Sequence, residues 1–130
     1  PAPPAAEDIL AVRGLHTPPL AVRRLCEAVV LILQAPRLDV APAPCPDWRR
    51  VRAKLCAPGI CEAIWQYQPE WLRAAPRVLE HLQEHYFGPC APRGGLHVEE
   101  VRSASSSAAA LYDWAAAVLR EAAREAPAPE

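Results

Sequence analysis

The sequence predicts an all-α fold, and three observations support that prediction. Alanine supplies much of the 52% hydrophobic content, while the 130-residue chain has a single phenylalanine and no methionine. Apolar residues recur at helical spacing in several segments, most clearly between Val22 and Leu33. The 16 prolines fall mainly between those segments. Because alanine and a 3.6-residue apolar period favour helices over strands, we expect a compact bundle of about six helices.

Prolines, glycines and capping residues set the expected boundaries of these helices. Thr17 is placed to cap a helix whose first turn contains the two following prolines, since proline needs no N–H donor there. Asp47 is placed to cap the third helix, and Pro69 ends the fourth. The last segment has no breaker, but a kink is expected near Ser105 because serine side chains compete for backbone hydrogen bonds. The predicted helices cover residues 5–15, 18–34, 48–56, 58–67, 75–87 and 97–125.

The apolar stripes of these helices define the expected core. In the second helix Arg23, Arg24 and Glu27 lie off the stripe, so we expect them in solvent. Trp48 is expected to pack in the core, whereas Trp65 and Trp71 flank a proline and are expected to be partly exposed. The other expected core residues are Val22, Leu25, Cys26, Val29, Ile32, Leu33, Ala75, Leu79, Leu82, Tyr86, Val101, Ala104, Ala108, Leu111, Trp114, Ala115, Val118 and Ala122.

The length of the chain predicts a single domain, which we place at residues 5–125. Residues 1–4 and 126–130 are rich in proline, alanine and glutamate, which is typical of linkers and disordered tails. No apolar run is long enough to span a bilayer, and no secretory signal peptide is recognisable. Five cysteines, an odd number at irregular spacings, favour reduced thiols in the cytosol over a secreted disulfide framework.

Charge is distributed unevenly along the chain, although its net value is only -1. Residues 1–54 hold 8 basic and 5 acidic side chains, whereas residues 55–130 hold 6 basic and 10 acidic ones. The first part is therefore suited to an acidic partner. Its basic residues cluster at the starts of the second and third helices, as Arg23, Arg24, Arg49, Arg50, Arg52 and Lys54.

No residues stand at a spacing typical of catalysis or phosphate binding, so we expect neither an enzyme nor a cofactor. A zinc site is an alternative, because Cys56, Cys61, His81 and His85 together could supply four ligands. However, Cys61 falls on an apolar stripe, where cysteine behaves as a small hydrophobic residue. Buried packing is therefore the stronger hypothesis for these thiols.

Four short motifs follow one another in an order and spacing that resemble a known family. The first motif consists of Thr17-Pro18-Pro19, Val22-Arg23 and Leu31-Ile32-Leu33. The second is Asp47-Trp48-Arg49, and the third is the apolar pattern from Ile60 to Tyr67. The fourth consists of Val98-Glu99-Glu100-Val101, Ala104-Ser105 and Trp114. Over residues 12–125 the chain resembles the microtubule-binding domain at the tip of the dynein heavy-chain stalk.

The resemblance implies a non-catalytic, tubulin-binding module of a dynein heavy-chain-like motor, whose ATPase would lie elsewhere in the parent protein. The module would be monomeric, bind neither nucleic acid nor membrane, and act on the cytoplasmic cytoskeleton or in a ciliary axoneme. The first and last helices would form the ends of an antiparallel coiled coil at one pole, through Ile9 and Val12 on one side and Val118, Leu119 and Ala122 on the other.

Arg23 stands where the family has a tubulin-facing lysine, and the basic cluster would extend the contact. Two departures weaken the expected binding: Ala57-Pro58-Gly59 replaces a frequent arginine, and Asp113 replaces a lysine. There are two alternatives. One is a helical scaffold that has lost tubulin binding, and the other is a secreted, disulfide-bonded helical factor of the cytokine type. The candidate tubulin-binding residues are Arg23, Arg24, Arg49, Arg50, Arg52, Lys54 and Arg120.

Overall fold

The structure is a computed structural model that describes residues 4–14, 18–35, 37, 48–87 and 98–124. Within these ranges all regular secondary structure is helical, as predicted, and comprises eight α-helices and one π-helical turn. The π-helical turn, Gln83–Phe87, directly follows the sixth helix. The helices are α1 Ala6–Arg13, α2 Leu20–Gln34, α3 Trp48–Leu55, α4 Ile60–Gln66, α5 Pro69–Arg73, α6 Pro76–Leu82, α7 Val98–Ala104 and α8 Ser106–Ala123.

Helices α2 and α8 form the centre of the bundle. They pack against each other and both pack against α6 and α7; α2 also contacts α3 and the π-helical turn, and α8 also contacts α1 and α5. Leu25, Val29 and Ile32 of α2 are 0% exposed, and Trp114 of α8 is 2% exposed. Each fully buried aliphatic side chain stabilises the fold by about 1.5–3 kcal/mol relative to an exposed one. The predicted apolar stripes therefore supply the core that holds the bundle together.

Helix α2 begins two residues later than predicted. Pro19 occupies the N-cap position, and its carbonyl accepts hydrogen bonds from the N–H groups of Val22 and Arg23 at 3.0 and 3.1 Å. Both prolines therefore precede the first turn. The N-cap position is thus Pro19, and Thr17, the predicted cap, lies outside the described residues. Asp47, the predicted cap of α3, lies outside them as well.

The structure has more helices than the six predicted, for two local reasons. Pro69 ends the preceding helix, as predicted, but it also occupies the first position of α5, where its missing N–H is not needed. The last predicted helix is divided at Ser105, whose backbone is extended and whose Oγ accepts a hydrogen bond from the Ala108 N–H at 3.2 Å. The predicted kink is thus confirmed, as a break with a new N-cap.

Four expected core residues differ in burial from the prediction. Leu33 is half-buried at the end of α2, and Ala104 is exposed because it is the last residue of α7. In α6 the buried position is Val78 instead of Leu79, since the stripe there runs through Ala75, Val78 and Leu82. Trp48 is half-buried, and the predicted partial exposure of Trp65 and Trp71 is confirmed.

The first and last described helices lie side by side. Ile9 and Val12 of α1 are buried, as are Val118, Leu119 and Ala122 of α8, and α1 packs against α8. Ahead of α1, the buried Pro4 accepts a hydrogen bond from Trp65 Nε1 at 2.8 Å, which attaches the N-terminal segment to α4. None of the described helices combines the length and apolar character needed to cross a membrane.

Candidate functional site

Helix α3 presents a dense positive charge to solvent. Four of its eight residues are basic and none is acidic. Val51 and Leu55, one turn apart, are buried and fix α3 on the bundle, where it packs against α2. Three of the basic side chains are exposed and that of Arg52 is half-buried. We call Arg49, Arg50, Arg52 and Lys54 the α3 basic surface.

Arg50 and Lys54 are one turn apart on this surface, so their like charges repel by about 0.2–0.5 kcal/mol. Neither residue takes part in an ion pair with another described residue. An exposed cationic pair raises the local positive potential and attracts anionic partners. Both side chains are exposed.

The environment of Arg24 is different. Its Nη2 donates a hydrogen bond to the carbonyl of His85 at 3.1 Å, and its Cζ lies 4.6 Å from the centre of the Tyr86 ring. The Tyr86 hydroxyl donates to the Glu27 carboxylate at 2.9 Å. We call these contacts the Arg24 network; they join α2 to the π-helical turn. The expectation that Arg24 and Glu27 lie in solvent is wrong, because both are half-buried in these contacts.

Burial changes the ionisation of the groups around this network. It raises the pKa of Glu27, while the hydrogen bond from Tyr86 and the charges of the neighbouring arginines act in the opposite direction. Burial and the Glu27 carboxylate raise the pKa of Tyr86. His81, whose ring centre is 4.6 Å from that of His85, has a lowered pKa because of burial and the charge of His85. Sequence reasoning missed the network because Glu27 and Tyr86 are 59 residues apart.

Arg23 lies close to the start of α2 and far from Lys54. Its Nε donates to the carbonyl of Pro18 at 3.2 Å, and the side chain is half-buried, not fully in solvent as expected. Lys54 lies instead beside Leu33, at the other end of the same helix. With a rise of 1.5 Å per residue, Arg23 and Leu33 are about 15 Å apart along α2. The predicted basic residues are therefore spread along α2 and α3.

The end of α8 carries charges of both signs. Arg120 is exposed, and so is Asp113, about 10 Å earlier along the helix. Arg73 of α5 donates from Nε and Nη2 to the carbonyls of Ala122 and Glu121 at 3.1 and 2.7 Å. Because the last carbonyls of a helix lack intrahelical donors, Arg73 caps α8. The sequence pattern gave no signal for this role.

The structure does not support the zinc alternative. The described part of the chain, which includes Cys56, Cys61, His81 and His85, contains no group of three or more side chains that could hold a metal ion. The two histidine rings contact each other, and Cys56 is exposed in the turn after α3. The described cysteines, Cys26, Cys56 and Cys61, are free thiols, whereas Cys45 and Cys90 lie outside the described residues.

No protein-family model matches this chain, and no curated protein and no solved structure shows a significant similarity to it. Its fold and surface therefore define only a class. Over the described ranges it is an all-α bundle with one strongly basic exposed helix. Any narrower assignment depends on the motifs and on the chemistry of that helix.

Proposed function

We propose that this chain is a non-catalytic tubulin-binding module of a dynein heavy-chain-like protein. The observation that carries the proposal is the α3 basic surface, which presents basic residues and no acidic ones on a helix anchored in the core. A microtubule is strongly acidic, so such a surface supplies steering and salt-sensitive affinity. The order of the sequence motifs, which resembles that of the stalk-tip domain, supports tubulin as the acidic partner.

The packing of the terminal helices is in keeping with this proposal. A stalk-tip domain is entered and left through two neighbouring helices. Here α1 packs against α8 through the buried residues Ile9, Val12 and Val118. We propose that these turns are the ends of an antiparallel coiled coil that joins the module to its parent motor, in the cytoplasm or in an axoneme.

The candidate residues are expected to contribute unequally. Arg50 and Lys54 are exposed and are expected to contribute most, and Arg23 has further N–H donors besides the one used at Pro18. Arg24 is expected to contribute little, because its guanidinium group is engaged inside the fold. Arg120 shares its helix with the exposed Asp113, which repels an acidic partner. We therefore expect weak and strongly salt-dependent binding.

The test is co-sedimentation of the chain with taxane-stabilised microtubules across a salt series. The double variant Arg50→Glu/Lys54→Glu is expected to bind at least about tenfold more weakly than the wild type. Helix α3 has no acidic residue in its first turn, so a glutamate at position 50 interacts favourably with the helix dipole. The glutamate at position 54 lies in the last turn, where the dipole disfavours it, so circular dichroism of the variant verifies that α3 stays folded.

The matched control is Arg102→Glu/Arg124→Glu, which changes the net charge equally at two exposed arginines on α7 and just after α8. This variant is expected to bind like the wild type, because neither arginine belongs to the α3 basic surface. Equal losses of microtubule binding in both variants would show that net charge, and not the α3 basic surface, determines the affinity. A wild-type chain that stays in the supernatant at low salt would contradict the proposal.

A helical scaffold for another partner is the second candidate, and the exposed tryptophans favour it. Trp65 and Trp71 are 43% and 44% exposed. Trp71 makes an edge-to-face contact with Tyr67 at 5.3 Å, which holds the ring in place. Exposed, fixed tryptophans are frequent energetic centres of protein interfaces. A scaffold would retain its partner in the Arg50→Glu/Lys54→Glu variant and lose it in Trp71→Ala.

A further inference from the structure

A groove opens to solvent between the C-terminal half of α2 and the turn that joins α3 to α4. Its volume is 560 Å³, within the range of sites that bind ligands or peptide side chains. Val30 and Leu33 contribute the wall on α2, and Ile60 and Ala63 contribute the wall on α4. The groove is therefore lined by apolar side chains from two helices that are distant in sequence.

The turn between α3 and α4 keeps the groove open. Ala57 and Pro58 have small or compact side chains, Gly59 has none, and all three residues line the groove. Gly59 has a φ of 80°, a left-handed conformation that side chains with a Cβ rarely adopt. This conformation lets the chain reverse directly into α4 at Ile60. The opening thus results from the local sequence of the turn.

Two cations line the groove, and none of its lining residues in the described part of the chain is acidic. Lys54 belongs to the α3 basic surface, and Arg37 follows the end of α2. Both side chains are exposed, and neither forms an ion pair with any other residue that the structure describes. An apolar floor bordered by two cations complements a ligand that is apolar in the middle and anionic at its ends.

We propose that this groove binds an acidic peptide segment of a partner protein. One bulky apolar side chain of that segment packs on Val30, Leu33 and Ile60, and its carboxylates pair with Arg37 and Lys54. The Gln34 side chain, which also lines the groove, offers an amide donor and acceptor to the peptide backbone. The proposal does not depend on tubulin binding, with which it shares only Lys54.

The openness of the groove favours a peptide over a small molecule. Small-molecule sites bury about 70–90% of the ligand surface, which requires an enclosed pocket. A groove that is open on one side leaves a path for a chain to enter and leave. The apolar side chain supplies the anchor, and the two cations fix the position and direction of the segment.

The experiment measures fluorescence anisotropy of a labelled, acetylated hexapeptide, in which four glutamates flank a central Leu-Phe pair, titrated with the full 130-residue chain. Ala63→Trp places a large side chain in the groove from an exposed helix position. It is expected to weaken binding at least about tenfold. Lys54→Glu is expected to weaken it about fivefold, since a single exposed ion pair contributes little.

Matched controls separate binding in the groove from general effects of the substitutions. Ala104→Trp and Arg102→Glu introduce the same side chains at exposed positions of α7 and are expected to bind like the wild type. A peptide with two central alanines, and one with lysines in place of the glutamates, are each expected to bind at least about tenfold more weakly. Circular dichroism verifies that each variant is folded.

Two outcomes would overturn the proposal. One is the absence of binding by the acidic peptide at a protein concentration of about 1 mM, which corresponds to only about -4 kcal/mol. The other is binding that Ala63→Trp leaves unchanged, since the peptide would then occupy another surface. The microtubule assay with Arg50→Glu alone remains independent of both outcomes, because Arg50 does not line the groove.

Discussion

The Arg24 network and the α3 basic surface use the same type of side chain in opposite ways. Arg24 donates to a backbone carbonyl, covers the face of Tyr86 and lies near a carboxylate that accepts a hydrogen bond from that tyrosine. Arg50 and Lys54 are exposed and make no ion pair within the described chain. One set of cations is engaged within the fold, whereas the other is exposed to solvent.

This difference follows from which helix has a neighbour on its polar side. On the polar side of α2, Arg24 and Glu27 face the π-helical turn, are partly desolvated and form hydrogen bonds with it. Helix α3 is anchored through Val51 and Leu55 and leaves Arg50 and Lys54 exposed. A charged residue in an amphipathic helix can therefore be assigned to stability or to binding only when its tertiary neighbours are known.

The largest expected effect compares the cysteines of the two regions. Cys26 of α2 is 0% exposed, and burial, with a smaller effect of Glu27, raises its pKa to about 12. Cys56, in the turn after α3, is exposed. Because Cys26 reacts only when the fold opens, we expect iodoacetamide to alkylate Cys56 at least about 1000-fold faster. Timed alkylation followed by peptide mass spectrometry measures both rates.

The half-buried Cys61 serves as the internal control for this experiment, and its rate is expected to fall between the other two. Mild urea is expected to accelerate the alkylation of Cys26 and to have little effect on Cys56, since only the first depends on opening. Equal rates for Cys26 and Cys56 in the native protein would show that the inner side of α2 is not packed. The comparison between the two regions would then fail.

The next effect concerns Tyr86, which is 4% exposed. Tyr86→Ala removes the ring under Arg24 and the hydrogen-bond donor to Glu27, and it is expected to reduce the free energy of unfolding by about 3–5 kcal/mol. Tyr86→Phe keeps the ring and removes only the hydroxyl, at an expected cost of about 1–2 kcal/mol. Urea denaturation followed by circular dichroism measures both values. If the two variants were equally destabilised, the ring contact with Arg24 would contribute nothing.

The core of α2 could be predicted from sequence because its cause is local. An apolar residue at every third or fourth position determines which side of a helix is buried, and Val22, Leu25, Val29 and Ile32 are all 0% exposed. The exposure of Arg50 and Lys54 could be predicted for the same reason. The fold class, and half of the candidate site, follow from such short-range patterns.

The rest of the site depends on contacts between distant parts of the chain. The carbonyl that accepts from Arg24 is 61 residues away, and Arg73 caps carbonyls 48 and 49 residues away. Helical periodicity carries no information about such partners. The groove beside Lys54 could not be predicted from sequence either, because its two apolar walls belong to helices that only the tertiary structure brings together.

A direct comparison of the two regions is provided by Arg24→Ala and Arg50→Ala. Arg24→Ala removes a hydrogen bond and a cation–π contact from a half-buried site, and we expect a loss of about 1–2 kcal/mol in the free energy of unfolding. Arg50→Ala changes an exposed position and is expected to stay within about 0.5 kcal/mol of the wild type. Urea denaturation at low and high salt measures both. If Arg24→Ala left the free energy of unfolding unchanged, Arg24 would again be a candidate tubulin-binding residue.

The smallest expected effect is the pH dependence that His81 gives to the Arg24 network. Burial, then the charge of His85, and less strongly Arg24, lower the pKa of His81, while Glu84 acts in the opposite direction. Tyr86, whose ring centre is 5.8 Å from that of His81, stays neutral in this range because its own pKa is raised. The unfolded chain, with an ordinary histidine pKa of 6.5, therefore binds a proton more readily than the native protein.

The contribution of the neutral His81 to stability is therefore fully present above the histidine pKa of the unfolded chain. It is lost as the pH falls towards the lowered pKa of His81 in the native protein. Glu27, whose pKa is raised from 4.5, has the opposite sign, since its contribution is lost as the pH rises through its native value. We expect the melting temperature to fall by about 1–3 °C between pH 7 and pH 5.5, and His81→Gln to abolish most of that change. An unchanged pH dependence in His81→Gln would assign the titration to another group. A pH effect on microtubule binding that persists in His81→Gln would likewise originate in a group other than His81.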